Sequence, residues 1–199
     1  MLTIGVTGSI GMGKSTTARL FQEAGIAVCD SDAVVHSLYQ EEAVGPIGSA
    51  FPEVIRDGAV DRAALSKRLA DKPADFAILE AIVHPLVRQK QDEFLKEQKR
   101  AGATLAVLDI PLLFETKAQD RVDFVVVVSA DPQIQRQRVL ARPGMSEEKF
   151  ELIMKRQMPD EEKRKRADFI IDTGRGIEPA RRDVLALIEK LKSGNASRS

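Results

Sequence analysis

The stretch that most limits what this chain can become lies at its start. Leu2 to Val6 is apolar, and Gly8 to Ser15 then runs glycine, four other residues, glycine, lysine, serine. Apolar residues follow at helical spacing from Lys14 to Ala24, where Gly25 stops them. A strand, a glycine-rich loop and a helix in that order make a phosphate nest. Successive N–H groups curl around the anion, glycines permit the dihedrals and the close approach, and the helix brings its positive end to the charge. Lys14 suits the outer phosphates and the Ser15 hydroxyl suits magnesium, so the motif implies a bound nucleoside triphosphate. Ile26 to Cys29 reads as a second buried strand ending at Asp30. Residues 1–30 are then a unit of βαβ size, which implies an α/β fold with a parallel sheet.

Composition narrows the partners. Thirty basic side chains balance thirty acidic ones in 199 residues, and there is no Trp and one Tyr. No global field favours a polyanion and no aromatic platform could stack bases, so nucleic acid is not expected. The single Cys29 excludes an internal disulfide, reads as a small buried apolar residue, and has no Cys/His spacing around it that suggests zinc. No apolar run reaches the ~18 residues of a membrane span and no signal-like start is present. A cytoplasmic location is expected, with no membrane partner.

Residues 32–101 read differently from the rest. Ala33 to Gln40, Ala63 to Ala70, Pro73 to Val83 and Pro85 to Arg100 suggest helices, with turns at Gly45-Pro46 and Asp57-Gly58 and no convincing buried strand. This is a mostly helical insertion. The sheet resumes at Leu105 to Asp109 and Val122 to Ser129, and Phe169 to Asp172 adds a short strand. Helices are expected over Pro132 to Ala141, Ser146 to Arg156 and Pro179 to Leu191. The division is a core of 1–31 and 102–190, carrying a lid at about 140–165, the insertion at 32–101, and a polar tail at 191–199, with Ser193 to Ser199 expected to be disordered.

Several side chains are placed to do chemistry. Asp109 ends an apolar strand and is expected to organise magnesium, directly or through water; its other reading is a cap on the turn at Pro111. Asp30 and Asp32 follow the second strand, where open α/β sheets hold ligands. One carboxylate could face the metal while Asp32 accepts a proton from an attacking hydroxyl, and the other reading is a helix N-cap at residues 30–32. Arg138 and Arg142 share a helical face, and Arg142 precedes the hinge-like Pro143-Gly144, which suits a charge-neutralising role on a flap. Arg136 reads as solvated, and Lys163 to Arg166 as surface or a loose phosphate contact. His84 and His36 read as structural.

Taken together these motifs resemble the dephospho-coenzyme A kinase family. The residues that carry the likeness are Thr7 to Thr16, Asp30-Ser31-Asp32, Asp61-Arg62, His84-Pro85-Leu86-Val87, Asp109 to Glu115, Gln137 to Arg142, Gln157 and Ala167 to Gly174. The resemblance implies a P-loop NTPase-type three-layer fold with a parallel central sheet, a helical acceptor-binding insertion and a small lid. It implies phosphorylation of the ribose 3′-hydroxyl of dephospho-coenzyme A by ATP, with magnesium, as the last step of coenzyme A synthesis, by a monomer or weak homo-oligomer. Carried over by position, Gly11, Met12, Gly13, Lys14, Ser15 and Thr16 cradle the ATP phosphates. Asp32 is the base, Lys14 and Arg142 stabilise the transferring group, and Ser15 and Asp109 serve the metal. Arg62, His84 and Leu112, Leu113, Phe114 and Glu115 fall at the acceptor pocket. Ser9, Met12, Ser31 and Thr173 depart from the residues common in that family, and Thr173 stands near its adenine site.

Overall fold

The structure is a computed structural model and describes residues 1–194. In chain order its first elements are β1 (Leu2–Thr7), α1 (Lys14–Glu23), β2 (Ala27–Asp30), α2 (Ser31–Leu38), α3 (Val44–Ala50), β3 (Ile55–Arg56), β4 (Ala59–Val60) and α4 (Arg62–Asp71). There follow α5 (Asp75–Arg100), β5 (Leu105–Asp109), β6 (Phe124–Ser129), α6 (Pro132–Leu140), α7 (Glu147–Arg156), α8 (Asp160–Lys165), β7 (Phe169–Asp172) and α9 (Ile177–Lys192). Of the tail expected over 191–199, Leu191 and Lys192 still belong to α9, and the residues from 195 on lie outside the described residues.

The chain divides into two compact units, one of Met1–Cys29 with the residues from Gln98 on, the other Asp30–Glu97. The first holds a five-stranded sheet in the order β2-β5-β1-β6-β7, with β1 parallel to both β5 and β6, and β6 parallel to β7. Every residue of β5 and β6 is buried, as expected of strands covered on both faces. On one face Ile4, Val126 and Val128 meet Phe21 from α1 and Val184 and Leu187 from α9. The other face is so close-packed that a Cβ on Gly5 would lie 2.6 Å from Leu113 Cδ1. The second unit is helical around Leu38, Ile47, Phe51, Val54 and Leu65, with the β3–β4 hairpin turning at Asp57 and Gly58, both at positive φ.

The β3–β4 hairpin adds two short strands to an insertion expected to hold none, and two further departures come through proline. Pro73 to Val83 and Pro85 to Arg100 were expected as separate helices, but α5 runs unbroken for 26 residues through Pro85. Proline removes one bond, to the Ala81 carbonyl; both residues are exposed, so water can take that carbonyl, while Leu79 and Val83 pack on the other side. Gly45-Pro46, expected as a turn, lies in the first turn of α3, where an N–H has no helical partner to lose. Pro179 sits likewise inside the first turn of α9.

Phe21, wholly buried between α1, α9 and the sheet, anchors the first unit. Phe21→Ala is expected to destabilise the protein by about 3–5 kcal/mol in urea unfolding.

Candidate active site

The loop after β1 is shaped by glycines in left-handed geometry, Gly11 at φ 79° and Gly13 at φ 91°. It is held tightly from outside. A Cβ would lie 2.6 Å from the Val128 carbonyl oxygen at Gly8, 2.5 Å from Val139 at Gly11 and 3.0 Å from Thr173 at Gly13. Met12 N–H turns inward to the Ser9 carbonyl at 3.1 Å, and Ile10 N–H donates to Gln157 Oε1 at 3.0 Å. Among the described residues, the N–H groups of Gly11, Gly13, Lys14, Ser15 and Thr16 have no acceptor. Gly13 caps α1 without a side chain, and the first turn holds no acidic residue. The helix end therefore keeps its positive potential for an outside anion.

Lys14 Nζ donates to Asp109 Oδ1 at 2.7 Å. Asp109 closes β5 beside Val6 and is 1% exposed, so its charge needs a partner, and Lys14 supplies one. No three His, Cys, Asp or Glu side chains gather to hold a metal among the described residues. The Ser15 hydroxyl and the Asp109 carboxylate are oxygen donors of the kind magnesium takes.

Thr173, just after β7, fastens the loop. Its Oγ1 donates to the Met12 carbonyl at 2.7 Å and accepts from Arg138 Nη1 at 3.0 Å, while Arg138 Nη2 donates to the Thr173 carbonyl at 2.9 Å. Arg138 is thus a structural tie. Arg142, one turn further on, is exposed at the turn that Gly144 makes with φ 74°. Arg136, expected as solvated, pairs with Glu147 at the surface. Gln135, buried on α6, donates to the Ile10 carbonyl at 2.7 Å. Nothing in the sequence distinguished this glutamine from its polar neighbours.

The segment after β5 packs mostly inward. Leu113, expected at the acceptor pocket, is fully buried against Gly5, and Phe114 is also buried. Glu115 faces the protein: its Oε1 accepts from Met158 N–H at 2.8 Å and lies 3.0 Å from Lys163 Nζ. Only Leu112 of the four is exposed. Lys163, expected at the surface, is wholly buried for the same reason, since the Glu115 carboxylate meets its charge.

In the helical unit Asp30 is the N-cap of α2, its Oδ1 accepting from Asp32 and Ala33 N–H at 2.8 and 3.2 Å. The start of this helix is tied to α5, where buried Gln91 donates to Ser31 Oγ at 2.9 Å. Asp32 is left exposed and lines a cavity of about 480 Å³ with His36, Tyr39, Arg62, Ser66 and Phe76. Asp61 caps α4 and so sets Arg62 as its first residue. Burial pushes the Tyr39 phenol above its ordinary pKa, and the positive charge of Arg62 pulls it partly back. The sequence did not single out Tyr39. His84 is not among the residues lining this cavity.

The family model for dephospho-CoA kinase matches residues 2–178. The chain belongs to the dephospho-CoA kinase family. Two dephospho-CoA kinases show how near its relatives are. That of Rhizobium etli is 59% identical over 96% of this chain and 95% of its own, and that of Agrobacterium fabrum 59% identical over 96% and 98%. The solved dephospho-CoA kinase of Campylobacter jejuni superposes with a TM-score of 0.75 at 26% identity, covering 97% of this chain and 98% of that one. The chain shares the kinase fold along its length, and as a member of a kinase family it is an ATP-using enzyme. No described helix is long and apolar enough to cross a membrane.

The Thr173 hydroxyl links Arg138 to the Met12 carbonyl beneath the loop of this dephospho-CoA kinase relative. Thr173→Val leaves both groups short of a partner. It is expected to lower stability by about 1–3 kcal/mol and to weaken ATP binding, read by thermal unfolding and nucleotide titration.

Proposed function

We propose that this chain carries the γ-phosphoryl group of ATP to the ribose 3′-hydroxyl of dephospho-coenzyme A, with the work divided among the residues described above. The observation that carries the reading is the set of N–H groups at Gly11, Gly13, Lys14, Ser15 and Thr16 left without protein acceptors among the described residues, in a chain whose family is dephospho-CoA kinase. Those groups receive the phosphates, and Lys14 exchanges part of its hold on Asp109 for the outer phosphate oxygens. Magnesium, bound with the nucleotide beside Ser15 and Asp109, supplies further neutralisation of phosphate charge.

Residues from about 140 to 165 act as a lid, and Arg142 on its exposed turn meets the charge that spreads over the transferring group. Asp32 accepts the proton of the acceptor hydroxyl; because Asp30 already caps α2, the Asp32 carboxylate is spared that task. Arg62 supplies positive charge toward the acceptor from the same cavity, and the exposed Leu112 supplies apolar contact. His84, Leu113, Phe114 and Glu115 are given no contact with substrate in this reading. The enzyme works in the cytoplasm on small molecules.

The direct test incubates purified protein with magnesium, ATP and dephospho-coenzyme A and follows mass. The expected product is heavier than the acceptor by one phosphoryl group, and an unchanged acceptor with ATP intact would overturn the proposal. Asp32→Asn is expected to lower kcat by about 10²–10⁴-fold with ATP binding little changed, and near-normal turnover would remove Asp32 as the base. Arg142→Ala is expected to lower kcat by about 10³-fold, measured at saturating substrates.

A further inference from the structure

The peptide of Ile10, within the phosphate loop, is held on both sides by glutamines. Gln135 Nε2 donates to its carbonyl at 2.7 Å, and its N–H donates to Gln157 Oε1 at 3.0 Å. Gln157 is the C-cap of α7, the helix that follows the Arg142 turn. The next residue is fastened elsewhere: Met158 N–H donates to Glu115 Oε1 at 2.8 Å, beside the buried Lys163. Two consecutive residues at one helix end are therefore tied to two different walls, the phosphate loop and the segment after β5. At the opposite end of α7 the polar ties lie at the surface, Glu147 to Arg136 and Lys149 Nζ to the Gly144 carbonyl, while Phe150 packs inward.

This asymmetry has a chemical meaning. With its N–H engaged by Gln157, the Ile10 peptide does not offer that N–H to a phosphate, which leaves those of Gly11 and of Gly13 to Thr16 to do so. The same bond sets the rear end of α7 against the loop as a fixed point.

We propose that Gln157 is a positioning residue. Through Ile10 it keeps the arginine-bearing segment in register with the bound phosphates, and the Glu115–Lys163 pair anchors the residue beside it. The proposal rests on the reading of Arg142 and the lid given above. A lid out of register admits water to the γ-phosphoryl group. Transfer to water then yields ADP and inorganic phosphate, in place of ADP and the phosphorylated acceptor.

Glu115 is a poor probe, because its loss would leave the buried Lys163 charge without a partner. Gln157 is only partly buried, and Gln157→Met keeps its length while removing the acceptor. With ATP, magnesium and dephospho-coenzyme A supplied, wild-type protein is expected to make ADP and coenzyme A in a ratio near one. The variant is expected to raise that ratio about twofold or more while kcat for coenzyme A falls about tenfold. Loss of stability alone would lower the amount of active protein and leave the ratio where it was. A folded variant with the wild-type ratio overturns the proposal; should Gln157→Met fail to fold, Gln157→Asn, with the amide drawn back by one methylene, is measured in the same way. Wild-type protein that makes no coenzyme A overturns the proposed function instead, before any variant is compared.

Discussion

Five backbone N–H groups around the start of α1 point at no protein acceptor among the described residues, and the rest of the first unit is arranged to keep them so. Left to itself a loop of this kind would close on its own carbonyls or fray into water. Here the left-handed glycines hold its turn while β6, α6 and the residue after β7 press on it from three sides. The contacts at Gly8, Gly11 and Gly13 leave no room for a Cβ, so the glycines serve close approach as much as dihedral freedom. Several polar groups of the loop are held by side chains from elsewhere in the unit. Ile10 is held by Gln135 and Gln157, Met12 by Ser9 and Thr173, and Thr173 in turn by Arg138.

Charge is handled by the same economy on the neighbouring strand. β5 ends in Asp109, which is almost fully buried and pairs with Lys14; six residues on, Glu115 pairs with the fully buried Lys163. Each carboxylate would be unstable in that setting without its lysine. The two pairs differ in what can replace them. Lys14 stands beside open N–H donors, where a phosphate can compete for it, whereas Lys163 is sealed from solvent and stays structural.

Most of the central unit was legible in advance because its signals are local. Leu105 to Asp109 and Phe169 to Asp172 are strands with the bounds expected of them, and α1 begins at the lysine of the loop. The insertion was less legible where proline was read as a break. Pro46 and Pro85 both sit inside helices, one in a first turn and one on an exposed face, where a missing N–H does little harm. Side-chain direction was the weaker part of the site reading. Leu113 and Glu115 belong to a segment whose position was evident, yet one fills the space against Gly5 and the other meets Lys163.

The sequence alone determined the chemistry available to this protein. A lysine and serine follow a glycine turn, an aspartate ends a buried strand, and the family that orders these motifs over residues 2–178 is dephospho-CoA kinase. Spacing along the chain suffices for that, because strand, turn and helix each depend on near neighbours. Which polar residues became ties was decided only by tertiary structure. Arg138 and Arg142 look alike one turn apart, and Gln135 resembles Gln137, but burial and distant partners such as Thr173 and Ile10 separate them. A hydrogen bond across more than thirty residues leaves no periodic mark in the chain that makes it.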